Sequence, residues 1–341
     1  MGRAFGHFAS AQPWPGPECG LTRSEYDAFE GSIAEAGRHN GWFAGENVRH
    51  MLGSLAFLLN SKDLNAWMAR YSTLEQRTTS NEQRTIGIIM AGNIPLVGFH
   101  DLLCVLLGGH RARIKLSSQD DVLIPAVLEI LDRFAPGTKE QVIMEGGKLG
   151  AVDAVIATGS NNTARYFEHY FGHLPRIVRK GRVSVAVLDG SESDQELAAL
   201  GEDVFRYFGL GCRNVSKLYA PRDFHLDRFF TAIFSWKGII DHHKYANNYD
   251  YNRAVWLLDK VPFLENGFLQ IKEDTALASP VASLHMQRYD DRSAVEMDLA
   301  GHAESIQCVI GHGFLPFGTS QRPALHDYAD GVDTMRFLTA L

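Results

Sequence analysis

The 341-residue sequence has little cysteine, and none of its four, Cys19, Cys104, Cys212 and Cys308, lies in a CxxC pair or at zinc-ligand spacing. A disulfide framework and a structural zinc are therefore excluded as organising principles, no metal is expected, and a reducing compartment fits. No uncharged apolar stretch approaches the ~20 residues that cross a bilayer. Met1–Pro17 lacks the basic start and unbroken apolar run of a secretory signal, so a cytoplasmic protein is expected. Positive charge is not in excess: 33 Lys and Arg stand against 40 Asp and Glu, net −7, leaving no general field for nucleic acid or an anionic membrane. GxGxxG is also missing, which argues against an ordinary Rossmann dehydrogenase. No internal repeat or low-complexity tract is visible.

What is present is enough apolar residue, 45%, to build more than one core. Ser24–Ala69 repeats apolar residues at helical spacing, as in Val48, Met51, Leu52, Leu55 and Leu58. Strand-like runs then alternate with helical ones: strand Thr85–Met90, helix Pro95–Leu107, strand Arg111–Leu116, helix Ile124–Phe134, strand Ala154–Ala157, helix Thr163–Phe171 and strand Ser184–Leu188. This alternation predicts an α/β fold whose parallel sheet carries helices on both faces. Its ligand crevice would lie beyond the carboxyl ends of the strands, where Gly92-Asn93 and Thr158-Gly159-Ser160 fall. After Gly201 we expect a helix over Phe224–Phe234 and a strand over Ser279–Tyr289. The resulting division is a helical segment 1–80, a cofactor domain 81–203, a catalytic domain 204–310 and a segment 311–341 returning to the core.

Cys212 sits in Gly209-Leu210-Gly211-Cys212-Arg213-Asn214, where glycines allow a substrate to approach and Arg213 favours thiolate. A lone cysteine is more often a packed residue. Thr158-Gly159-Ser160 opens a helix and can carry a phosphate on its amides, although such a serine is more often an N-cap. Asn93 reads equally as a turn residue tolerating left-handed backbone. Asp241–Tyr251 is the richest polar run, with His243 or Tyr245 lining a substrate mouth, assisting proton transfer to the developing aldehyde oxygen, or standing in a polar loop. Phe99, Leu102 and Leu103 either line a tunnel or are plain helix core.

Four runs in fixed order, Gly92–Asp101, Lys115–Ser118, Thr158–Ala164 and Phe208–Asn214, resemble the LuxC-like acyl-CoA reductases, a family that includes the fatty acid reductase of bacterial luminescence and branches from the aldehyde dehydrogenase superfamily. Asp327–Thr334 resembles the ending of the same group, and the likeness runs from about Asn40 onward. The resemblance implies an aldehyde dehydrogenase-like fold and NADPH-dependent reduction of an acyl thioester, a long-chain fatty acyl-CoA in this family, to the aldehyde. Cys212 would be the nucleophile that carries the acyl group, and Asn93, with the Cys212 amide, the donors to the oxyanion. Lys115 would reach the adenosine ribose, with Ser117 and Ser118 beside it. Ser118 stands where a glutamate often excludes a 2′-phosphate, which favours NADPH. Thr158, Gly159 and Ser160 would hold the pyrophosphate or ribose.

The run Val178–Arg182 departs from hydrolytic aldehyde dehydrogenases, which carry a water-activating Glu where this chain has Val178. The departure supports thioester reduction over oxidation to a free acid. Two alternatives stay open: a CoA-acylating aldehyde dehydrogenase acting on shorter aldehydes, and a non-redox acyl-carrier subunit. The associations implied are an acyl-CoA or acyl-carrier thioester, a protein that donates the acyl group, and a homo-oligomer.

Overall fold

The computed structural model describes residues 1–71 and 83–341. Positions 72–80 of the expected helical segment, and 81–82 at the start of the expected cofactor domain, lie outside them. The chain divides into two units: Met1–Gly181 with Ala324–Leu341, and Arg182–Pro323. Among the described residues no helix is long and apolar enough to cross a membrane.

The first unit begins with helices Gly2–Ala9, Arg23–His39, Gly45–Leu58 and Ser61–Met68. Thr22 and Glu25 close a capping box that starts the second of these, which fixes where the chain turns into helix. Phe8 packs its ring against Tyr26 and Phe29, at centroid distances of 4.4 and 4.3 Å. Phe8 is thus part of the core of this unit.

Strands β1 (Thr85–Ile89), β2 (Arg111–Lys115), β3 (Val142–Met144), β4 (Ala154–Thr158) and β5 (Arg176–Arg179) form a wholly parallel sheet in the order β3-β2-β1-β4-β5. The order reverses between β1 and β4, the kind of switch point at which open sheets bind ligands. β3 and β5 escape the sequence reading because runs of three or four residues show no period. The helix expected from Pro95 starts only at Phe99. Leu96 lies in left-handed backbone, φ 55°, and its amide is taken by the Asp120 carboxylate rather than by a helical carbonyl.

The segment Ala324–Leu341 closes this unit. Trp67 donates its indole N–H to the Tyr328 hydroxyl at 2.9 Å, and Tyr71 bonds both Tyr328, at 2.6 Å, and the Asp333 carboxylate, at 3.0 Å. Arg179, at the end of β5, is buried against Asp101 and donates to the Thr334 hydroxyl at 2.8 Å.

In the second unit β6 (Val183–Val187), β7 (Val215–Pro221), β8 (Leu264–Glu265), β9 (Gln270–Glu273), β10 (Ser283–Tyr289) and β11 (Ile306–Gly311) run in the order β11-β6-β7-β10-β9-β8. All pairs are parallel except β8 with β9. β6, placed by sequence in the cofactor domain, pairs here with β7 and β11, since an apolar run does not declare which sheet it joins. Ala186 joins a core with Leu197, Leu200 and Phe229, whereas Val185 and Val187 join Val295 and Leu299, so alternate residues of β6 bury on opposite faces. Asp241–Tyr251 is not a polar loop: His243–Leu258 is a helix, and Tyr245 is buried with its hydroxyl donating to the Phe268 carbonyl at 2.9 Å.

His312, just beyond β11, lies 2.9 Å from both Asp189 and Glu196. These carboxylates, Glu196 foremost, raise its pKa to about 9, while Glu196 is lowered to about 2. A raised histidine stabilises the fold fully below its unfolded value of ~6.5 and loses that contribution as pH rises through the folded value. Thermal melts should therefore show the largest deficit for His312→Gln near pH 6, vanishing at about pH 10. A deficit independent of pH would refute the clip.

Candidate active site

Cys212 occupies the loop between a turn, Arg206–Gly209, and β7. Tyr207, Phe208 and Gly209 take three successive left-handed conformations, φ 53°, 59° and 76°. Two of these are bulky residues for which this backbone costs about 1–2 kcal/mol each, and such strain persists only where its surroundings hold it. Asn214 supplies that hold: its side-chain amide donates to the carbonyls of Arg206, at 2.8 Å, and Asp203, at 3.1 Å, while its oxygen accepts from the Gly211 amide at 2.8 Å. Asp203 in turn accepts the amides of Gly318 and Ser320. The Ser184 hydroxyl donates to the Cys212 carbonyl at 3.0 Å. The sequence pattern marks the glycines of this loop and the hydrogen-bonding run that holds Asn214, but not Asp203 or Ser184.

Burial separates the cysteines into two pairs. Cys19 and Cys104 are buried, and loss of hydration raises the Cys104 thiol well above its usual pKa. Cys212 and Cys308 are both half-buried, and Cys308 lies 3.0 Å from the Ser184 hydroxyl.

In the first unit Asn93 is exposed on the turn after β1. The left-handed residue of this turn is Leu96, so Asn93 is not there to tolerate that backbone. Gly92 is required by crowding, since a Cβ there would lie 2.6 Å from the Ser117 hydroxyl oxygen. Ser117 thus packs against the Asn93 turn, and its hydroxyl accepts the Gln119 amide at 3.2 Å. Ser160 is the N-cap of helix Asn161–Tyr170, accepting the Thr163 amide at 3.3 Å. Gly159 passes close beneath that helix, where a Cβ would meet Thr163 at 3.0 Å.

A cavity of about 540 Å³ opens where β1 and β2 end, lined by Ile89, Lys115, Lys148, Leu149, Tyr166 and Tyr170 among others. Of the six residues expected to bind cofactor, Lys115 lines it; Ser117, Ser118, Thr158, Gly159 and Ser160 do not. No carboxylate contributes to the lining, and nearby Glu145 is paired with Arg113 at 3.2 Å. Lys148, Tyr166 and Tyr170 were missed by sequence reading because a lysine after two glycines and tyrosines on a helix carry no motif. Phe99, Leu102 and Leu103 are buried in the core of the unit, and line no tunnel among the described residues. Val178 lies within β5.

No family model and no curated protein sequence matches the chain. Solved structures do match its fold. A NAD-dependent aldehyde dehydrogenase from Sinorhizobium meliloti superposes with a TM-score of 0.57 at 11% identity, over 91% of this chain and 69% of that one. For a 3,6-anhydro-L-galactose dehydrogenase the values are 0.58 and 11%, over 91% and 73%. For a NAD-dependent benzaldehyde dehydrogenase from Corynebacterium glutamicum they are 0.54 and 12%, over 90% and 79%. The chain has the aldehyde dehydrogenase fold.

The burial pattern predicts that iodoacetamide modifies Cys212 and Cys308 in the native protein, while Cys19 and Cys104 react only after unfolding. Peptide mass spectrometry reads this out, and rapid native labelling of Cys104 would contradict the packing described.

Proposed function

We propose that this chain reduces an acyl thioester to an aldehyde with NADPH, through an S-acyl intermediate on Cys212. The observation that carries the reading is a half-exposed cysteine on a strained, braced loop of an aldehyde dehydrogenase fold, in a chain with Val178 where hydrolytic enzymes hold a base. The fold neighbours are NAD-dependent aldehyde dehydrogenases, which supports aldehyde chemistry with a nicotinamide cofactor.

In this mechanism the Cys212 thiolate attacks the thioester carbonyl, and the Asn93 side-chain amide donates to the oxygen that becomes negative. Collapse breaks the original C–S bond, and the departing thiolate takes a proton to leave as free thiol. NADPH, which Lys115, Thr158, Gly159 and Ser160 would hold, would supply the hydride that reduces the acyl carbon. The resulting thiohemiacetal on Cys212 breaks its C–S bond, releasing aldehyde and restoring the thiolate. Without a base at position 178 to activate water, the acyl group stays on Cys212 long enough to be reduced. Long-chain acyl-CoA is the substrate class that the family likeness supports.

The residues present suit an anionic, aromatic cofactor. Lys115 and Lys148 put positive charge into a cavity lined by no carboxylate, and Tyr166 and Tyr170 offer ring faces for an adenine. Thr158, Gly159 and Ser160, at the end of β4 and the start of a helix, are assigned to the pyrophosphate or ribose. Ser117 and Ser118 follow Lys115 and present no charge that repels a 2′-phosphate.

Two experiments test this. Cys212→Ala should abolish both acylation by acyl-CoA, read by intact mass, and aldehyde formation, whereas Cys308→Ala should retain them; turnover by Cys212→Ala would end the proposal. Acyl-Cys212 that persists after NADPH is added would identify a carrier instead. Separately, Lys115→Ala should weaken NADPH about tenfold or more, as expected on losing one charge-assisted contact, and weaken NADH less. Equal effects on both cofactors, measured by fluorescence titration, would remove Lys115 from the 2′-phosphate.

A further inference from the structure

The turn that carries Asn93 is held in a conformation its own sequence opposes. Leu96 is buried at left-handed φ, and a leucine there costs about 1–2 kcal/mol relative to ordinary backbone. The compensating contact comes from a residue 24 positions away. The Leu96 amide donates to Asp120 Oδ2 at 2.7 Å. Asp120 is 4% exposed, and its Oδ1 is buried with no hydrogen-bond partner. Burial raises its pKa to about 7, opposed by the amides of Leu96 and Leu123. A group that only filled space here would be less costly uncharged. The carboxylate is itself fixed, because the Asp120 amide donates to the Ser117 carbonyl at 3.1 Å and the Asn40 side chain holds the Gln119 carbonyl at 3.1 Å. Ser117 presses on Gly92, next to Asn93 on the other side.

We propose that Asp120 is a positioning residue, whose buried carboxylate holds the Leu96 amide and thereby sets where the Asn93 side chain is presented. The proposal rests on the reading of Asn93 as donor to the acyl oxygen. The turn that carries Asn93 is thus fixed at two points, at Gly92 by Ser117 and at Leu96 by Asp120. The placement of a donor matters most when charge develops on the oxygen, and least for binding substrate.

The test compares Asn93→Ala, Asp120→Ala, Asp120→Asn and the double variant Asn93→Ala/Asp120→Ala, using acyl-CoA reduction together with NADPH binding by fluorescence. Asp120→Ala should lower kcat about tenfold or more, with KM and the NADPH Kd within about twofold, as misplacement of a catalytic group does. Asp120→Asn, which keeps an acceptor for the Leu96 amide, should recover most of the loss. In the Asn93→Ala background Asp120→Ala should cost nothing further, because both changes remove the same contact. If Asp120→Ala does not fold, Asp120→Ser, too short to reach Leu96, takes its place beside Asp120→Asn. A crippled Asn93→Ala with a fully active Asp120→Ala, or with strictly additive losses, would overturn the inference and leave the proposed function standing. An Asn93→Ala variant of full activity would instead overturn the oxyanion reading on which the inference rests.

Discussion

The buried guanidinium of Arg179 is the constraint on which the first unit is organised. It meets Asp101 on the helix that follows the Asn93 turn and Thr334 at the start of the C-terminal helix, while Arg179 itself ends β5. Removing charges from water is costly, and replacing such a pair by apolar residues is often neutral or favourable, whereas removing one partner costs about 3–5 kcal/mol. Asp101 Oδ1 and Arg179 Nε lack hydrogen-bond partners, so the pair is not an optimised source of stability. What it supplies is specificity, because misplacement of β5, of that helix or of Thr334 strands a buried charge. The Trp67, Tyr71, Tyr328 and Asp333 hydrogen bonds extend the same demand to the N-terminal helices.

Both candidate catalytic side chains stand on turns whose backbone is unfavourable, and both turns are braced by a polar side chain from the following segment. Leu96 is held by Asp120, and the Tyr207–Gly209 turn by Asn214. In each case a glycine allows close approach while a more distant acceptor or donor fixes geometry. The glycines supply permission and the buried polar groups supply direction.

This explains which parts of the molecule were legible in the sequence. β1, β2, β4, β6 and most helices announce themselves through apolar periodicity, and the alternation of strand and helix identifies an α/β fold. Motif order pointed to the aldehyde dehydrogenase fold, which the solved structures share. The membership of β6 was not legible, because sheet pairing depends on contacts with β11, over a hundred residues later. The late start of the helix at Phe99 was hidden for a similar reason: Pro95 and Leu96 suit a helix locally, and only Asp120 overrides them. The polar run after Asp241 misled because composition hides the buried rings of Tyr245 and Tyr249, four residues apart on one face of the helix. Lys148 and the tyrosines of the cavity belong to no motif, and three-dimensional convergence alone brings them beside Lys115.

The second unit is a single uninterrupted stretch, whereas the first is assembled from Met1–Gly181 and Ala324–Leu341. During synthesis the two therefore cannot mature in the order in which they begin. Every strand of the second unit is synthesised before Tyr328 and Thr334, and domains fold as units once their residues are available. Until that last segment is made, the earlier-made unit lacks Thr334 for Arg179 and Tyr328 for Trp67 and Tyr71. The nascent chain thus passes through a period in which every residue of its later unit has been made while its earlier unit still lacks its closing segment.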